Sequence, residues 1–212
     1  MNVFILCTGR CGSTTLIEAC QHITNFTSAH ESLAGWYADK RLAYPERHIE
    51  ADNRLSWFLG RLDEAYGDRA YYVHLQREVD KVAASYTKRQ FHGGIMPAYR
   101  EGFFLGGVPE DVPHLDVAYD YCCTVNANIR HFLKDKPHRM DFQLEQADED
   151  FRTFWDWIGA EGDLQHALQE FSIAHNRAQE SGTQLRPERL PLRAVKKLGR
   201  AVVKLPEYLR NV

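Results

Sequence analysis

An α/β fold with a parallel sheet flanked by helices is what this 212-residue sequence predicts, and three observations carry that prediction. Residues 3–7, V-F-I-L-C, form a short, wholly apolar, β-rich run, as expected of a strand buried on both faces. A glycine-bearing turn and a stretch of helical periodicity follow at once, the first half of a βαβ unit. Residues 70–76, A-Y-Y-V-H-L-Q, read as a second strand and again lead into a helical pattern. Strands alternating with helices indicate a parallel sheet.

Taken in order, the first helix is marked by Leu16, Ala19, Cys20 and Ile23 at i, i+3, i+4 and i+7, one apolar face. A further strand is expected just before Ala29-His30-Glu31-Ser32. Residues 52–65 read as a helix, with Asp52 or Asn53 as N-cap and Leu55, Phe58, Leu59 and Leu62 as its stripe. The helix over 78–89 turns Val79, Val82, Ala83 and Tyr86 inward, and its early acids Glu78 and Asp80 suit a positive helix N-terminus. From 92 to 114 glycines and prolines interleave with Tyr99, Phe103 and Phe104, so a long loop is expected there, the lid or wall of a site. Helices are expected over 117–134, 147–158 and 163–178, with Cys122 and Cys123 as small packing residues in the first. One domain is expected over 1–212, ending in a basic segment, 184–212.

Composition narrows the function classes. Hydrophobic residues at 44% and charged residues at 26% fit a globular protein, which argues against disorder. A net charge of −3 from 26 bases and 29 acids lacks the footprint of a nucleic-acid binder. The sum conceals a cancellation: residues 141–181 hold ten acids against two bases, and 184–212 hold eight bases against two acids. No run is long enough to span a bilayer or form a signal-peptide core, and five cysteines without a CxxC pair suit reduced thiols. A cytoplasmic protein without a metal site is the expectation, since no HxxxH-like ligand spacing occurs.

Two segments carry chemistry. In C-T-G-R-C-G-S-T-T-L, residues 7–16, a glycine-bearing turn between strand and helix aims successive backbone N–H groups at one point, where the helix dipole adds positive potential. A phosphate or sulfate is the natural ligand, although a plain turn with a capping hydroxyl has the same local form. The Walker A pattern fails because Ser13 stands where its lysine belongs; the positive charge sits at Arg10 instead. In H-L-Q-R-E-V-D-K-V-A-A-S-Y, residues 74–86, Arg77 lies at the end of a strand, where open α/β sheets bind ligands. Ser85 follows eight residues later in the helix.

Together these segments resemble the sulfotransferase family that uses 3′-phosphoadenosine-5′-phosphosulfate (PAPS). Residues 9–16 are similar to the family's loop, commonly R-[SC]-G-[ST]-[ST], and residues 77–86 to its R-[DN]-P-x-x-x-x-x-S-Y motif. Val79 departs from the usual proline. The resemblance implies a P-loop NTPase-like three-layer fold. It implies that Arg10, Cys11, Gly12, Ser13, Thr14 and Thr15 hold the 5′-phosphosulfate, Arg10 also stabilising charge on the leaving phosphate. It implies that Arg77 and Ser85 hold the 3′-phosphate. Glu31, nineteen residues past Gly12, resembles the general base of the carbohydrate and tyrosyl-peptide branch. His30 is the nearest competitor, with His92 and His74 behind it.

Residues 141–145 and 151–159 and the pair His175-Asn176 echo later family segments more faintly. The acceptor implied is a small-molecule or carbohydrate hydroxyl, and the oligomeric state is left open. A small-molecule kinase of the P-loop class and a non-catalytic nucleotide-binding module are the alternatives.

Overall fold

In the computed structural model, Val3–Leu6 forms β1, all four residues fully buried at the centre of a five-stranded sheet. Its other strands are β2 (Thr27–His30), β3 (His48–Ala51), β4 (Tyr71–Gln76) and β5 (Arg139–Gln143), in the order β2-β3-β1-β4-β5 with every pairing parallel. Described are residues 1–172, within the compact unit Met1–Arg177. The basic segment 184–212, His175-Asn176 and the end of the helix expected to run to 178 lie outside the described residues.

The period-2 alternation of a strand divides the core in two. Val3 and Ile5 of β1, with Val73 and Leu75 of β4, face α1 (Ser13–Cys20), α6 (Ala147–Ile158) and α7 (Leu164–Gln169). Phe4, Leu6 and Tyr72 face α2 (Leu59–Tyr66), α3 (Val79–Thr87), α4 (Ile95–Gly102) and α5 (His114–Leu133). The result is three layers, helix on sheet on helix, as expected. Among the described residues no helix is long and apolar enough to cross a membrane.

Several elements differ from expectation. The helix expected over 52–65 is two: a 3-10 turn, Asn53–Trp57, then α2, with Phe58 between them at φ −122°, ψ 21°. Asp52 caps the first by accepting from the Arg54 amide, and the Ser56 hydroxyl donates to the Cys7 carbonyl, tying this turn to the end of β1. The long loop expected over 92–114 contains α4, whose Met96 and Tyr99 are buried; Pro97 sits in its first turn, where no intrahelical N–H is needed. Strand β3 is not expected from its sequence, H-I-E-A, because Glu50 and His48 are polar yet buried. Edge strand β5 buries Phe142 alone. Of the adjacent cysteines Cys122 is in the core but Cys123 is exposed, since neighbours on a helix point about 100° apart.

Sheet order fixes where a ligand can bind. From β1 the chain proceeds through β2 and β3 on one side, then crosses to β4 and β5 on the other. The crevice beyond the strand ends at such a reversal is the usual ligand site of an open α/β sheet. Both sequence motifs end on it.

Candidate functional site

The loop after β1 takes its shape from three left-handed residues, Gly9 (φ 79°), Arg10 (φ 60°) and Gly12 (φ 87°). No side chain caps α1 at Gly12, so the helix presents its positive end to the crevice. The loop is anchored from below. The Thr8 carbonyl accepts from the hydroxyls of Tyr86 and Tyr121 and from Asn53 Nδ2. Burial pushes both tyrosine hydroxyls well above their ordinary pKa, so they remain donors.

The two motifs meet here. Arg10 Nε donates to Ser85 Oγ at 3.0 Å, across 75 residues of sequence. Arg77 Nη1 donates to the Arg10 carbonyl at 3.1 Å. Arg89, just past α3, faces the same space. Burial and the nearby Arg89 charge, with Arg77 adding to them, pull the Arg10 guanidinium below its ordinary pKa. Among the described residues no carboxylate is in ion-pair contact with Arg10, Arg77 or Arg89. Arg10 and Arg89, with Arg77 behind them on the Arg10 carbonyl, leave positive charge without an ion-paired carboxylate, which suits an anionic ligand.

A cleft of about 320 Å³ opens beside the loop, and its walls include Arg10, Ser13, Thr14, His30, Glu31 and Arg89. Arg77 and Ser85 are not on those walls and reach the cleft through Arg10. Cys11 is fully buried with its side chain in the core, so it can offer a ligand little beyond its main chain, and Thr15 is buried and off the walls of the cleft. Gly12 is small for a reason internal to the fold, because a Cβ there would lie 2.5 Å from Leu144 Cδ1.

Glu31 ends β2 in a left-handed conformation (φ 52°), its amide donating to the Ala51 carbonyl. Its carboxylate is one-third exposed, and Oε1 lies 3.5 Å from Arg54 Nη1. The neighbouring His30 shares 3.0 Å between Nε2 and Ser13 Oγ. His74 is fully buried, hydrogen-bonded to Asn126, and off the walls of the cleft; burial lowers its pKa. His92 is exposed and also off those walls. Arg54, Arg89, Asn53, Phe91 and Ile95 line the cleft without any sequence signal that singles them out. Their positions depend on where distant turns are carried by the sheet.

No protein-family model matches this chain, and no curated protein matches it in sequence. Among solved structures, that of mouse sulfotransferase SULT7A1 complexed with PAP is similar, with a TM-score of 0.52 at 10% identity. The likeness covers 81% of this chain and 63% of that one. At this identity it is the fold that the two proteins share.

Proposed function

We propose that the chain is a PAPS-dependent sulfotransferase that moves a sulfuryl group to an acceptor hydroxyl of a small molecule or carbohydrate. The observation that carries this reading is the junction of the two motifs, where Arg10 binds Ser85 and Arg77 binds the Arg10 carbonyl. The three guanidiniums without carboxylate partners fit a doubly phosphorylated nucleotide better than an uncharged ligand. The fold shared with a sulfotransferase complexed with PAP supports the same reading. Ser13 in place of the Walker lysine counts against an ATP-dependent kinase.

PAPS, when bound, supplies an activated sulfuryl group on a phosphate leaving group. The loop amides, the Ser13 and Thr14 hydroxyls and the Arg10 guanidinium hold and neutralise the 5′ end, while Arg77 and Ser85 hold the 3′-phosphate. Glu31 accepts the proton of the acceptor hydroxyl as its oxygen bonds to sulfur and the bond from sulfur to the phosphate oxygen breaks. The products are 3′-phosphoadenosine-5′-phosphate (PAP) and a sulfate ester. Catalysis in this scheme is alignment plus electrostatic stabilisation. Both Glu31 and His30 line the cleft, the first beside Arg54 and the second on Ser13, and Glu31 is favoured because its place after β2 resembles that of the family's glutamate base.

Calorimetric titration with PAP, with ADP as control, tests the nucleotide assignment. PAP is expected to bind more tightly, and Arg77→Ala to weaken it; equal or absent binding overturns the assignment. Glu31→Gln is expected to leave PAP binding intact and to abolish sulfuryl transfer from PAPS across a panel of sugars and phenols. Magnesium-dependent ATP turnover would favour the kinase alternative, and nucleotide binding without transfer across the panel the non-catalytic one.

A further inference from the structure

The end of β3 carries an arrangement that the proposed chemistry does not by itself require. Glu50 is fully buried beside the strand end, yet both of its carboxylate oxygens have hydrogen-bonding partners. The Ser32 amide donates to Oε1 at 2.7 Å and the Ser32 hydroxyl to Oε2 at 2.6 Å. His48 Nε2 lies 3.0 Å from Oε2, and its other ring nitrogen is 2.8 Å from Thr27 Oγ1. A carboxylate taken wholly out of water is costly unless donors replace the lost hydration. Here two of those donors belong to one residue, the one that follows Glu31.

Consequences for Glu31 are geometric. It holds a positive φ of 52°, a conformation unfavourable for a non-glycine residue that needs restraint from its surroundings. The restraint comes from both sides: its own amide is tied to Ala51, and the next residue is clamped by Glu50 through main chain and side chain. Just past the end of β3, Asp52 holds the Arg54 amide at 2.8 Å, and so restrains the main chain of the residue whose guanidinium lies 3.5 Å from Glu31. The end of β3 thus restrains the main chain on both sides of the Glu31–Arg54 contact.

We propose that Glu50 is a positioning residue for Glu31, acting through Ser32 and never touching the reacting groups. The inference rests on Glu31 being the base. Replacing the carboxylate by an amide keeps the volume and one acceptor for the Ser32 amide, but removes the charge and turns the second oxygen into a donor, so that the Ser32 hydroxyl and the His48 ring must both reverse from donor to acceptor.

The test is single-turnover PAP release from PAPS, with water as the acceptor, beside PAP affinity and the 13C carboxyl resonance of Glu31, assigned by its loss in Glu31→Gln. Glu50→Gln is expected to slow release roughly 10²-fold, the effect of displacing a catalytic group by about 1 Å, while PAP affinity changes less than about twofold. In a Glu31→Gln background it is expected to add no further loss. The Glu31 resonance is expected to move or broaden in Glu50→Gln and in Ser32→Ala. Ser32→Ala alters an exposed side chain, so it carries the experiment if Glu50→Gln does not fold. An unmoved resonance in a folded variant, an unchanged rate, or the same loss in both backgrounds overturns the positioning role. If Glu31→Gln itself retains the rate, the base assignment has failed and the positioning role with it. If Glu31→Gln abolishes release and Glu50→Gln leaves it unchanged, only the positioning role has failed.

Discussion

Gly9→Ala places one methyl group at the base of the anion loop, and the surrounding geometry sets its cost. The added Cβ would lie 2.5 Å from the Tyr86 hydroxyl and 2.9 Å from Asn53 Nδ2, both buried. Neither neighbour is free to retreat, because both donate to the Thr8 carbonyl. A φ of 79° adds about 1–2 kcal/mol for a residue with a Cβ. Overpacking contributes about 1–3 kcal/mol, and a weakened buried hydrogen bond roughly 0.5–1.5 kcal/mol. The sum is about 2.5–6.5 kcal/mol, a large part of the roughly 5–15 kcal/mol that holds a domain folded. Urea unfolding is expected to show a lower midpoint at unchanged slope, and Tm to fall by roughly 5–25 °C. Gly60→Ala is the control: nothing lies within 4 Å of its Cβ position in α2, and it should stabilise by up to about 1 kcal/mol. A Gly9→Ala protein destabilised by less than about 1 kcal/mol would refute the reasoning, since strain alone should reach that value.

Further outcomes follow from other parts of the fold. Arg89→Gln is expected to weaken PAP binding roughly 10- to 100-fold, the worth of one charge-assisted hydrogen bond, as measured by calorimetry; unchanged affinity would remove Arg89 from the site. His74, held by burial below its ordinary pKa of 6.5, binds a proton less readily folded than unfolded. Its contribution to stability therefore rises with pH between the lowered native value and 6.5 and is lost on acidification through that window. His74→Gln should flatten this part of the stability profile in urea unfolding, and an unchanged slope would argue against the burial effect. A thiol reagent should modify one cysteine, Cys123, in the folded protein and all five after unfolding, because the other four are buried. Rapid modification of a second thiol in the native state would contradict that packing.

Elements with strong local signals are legible in the amino-acid sequence itself. The apolar run of β1, the turn after it and the stripe of α1 need no distant contact to be recognised. The pair β4 and α3 is likewise readable, and the helix expected over 147–158 coincides with α6, which Gly159 ends in a left-handed conformation. Strand β3 is not legible because its sequence is half polar: His48 and Glu50 are buried only because Thr27 and Ser32 supply hydrogen-bonding partners from β2 and the turn after it. Helix α4 is hidden by the glycines and proline around it, and the break at Phe58 by a stripe that runs through it without interruption.

The candidate site divides in the same way. From the amino-acid sequence alone come the glycine turn and Arg10, which residue type and short spacing define locally, whereas Arg77, Ser85 and Glu31 are singled out there only by the resemblance to the sulfotransferase motifs. Tertiary structure alone joins Arg10 to Ser85, adds Arg89 and Arg54 to the cleft, turns the Cys11 side chain into the core, and sets Glu50 behind the residue that follows Glu31. Hydrogen bonds and charge contacts between residues dozens of positions apart have no periodicity to read. They exist only once the parallel sheet brings the strand ends to one edge.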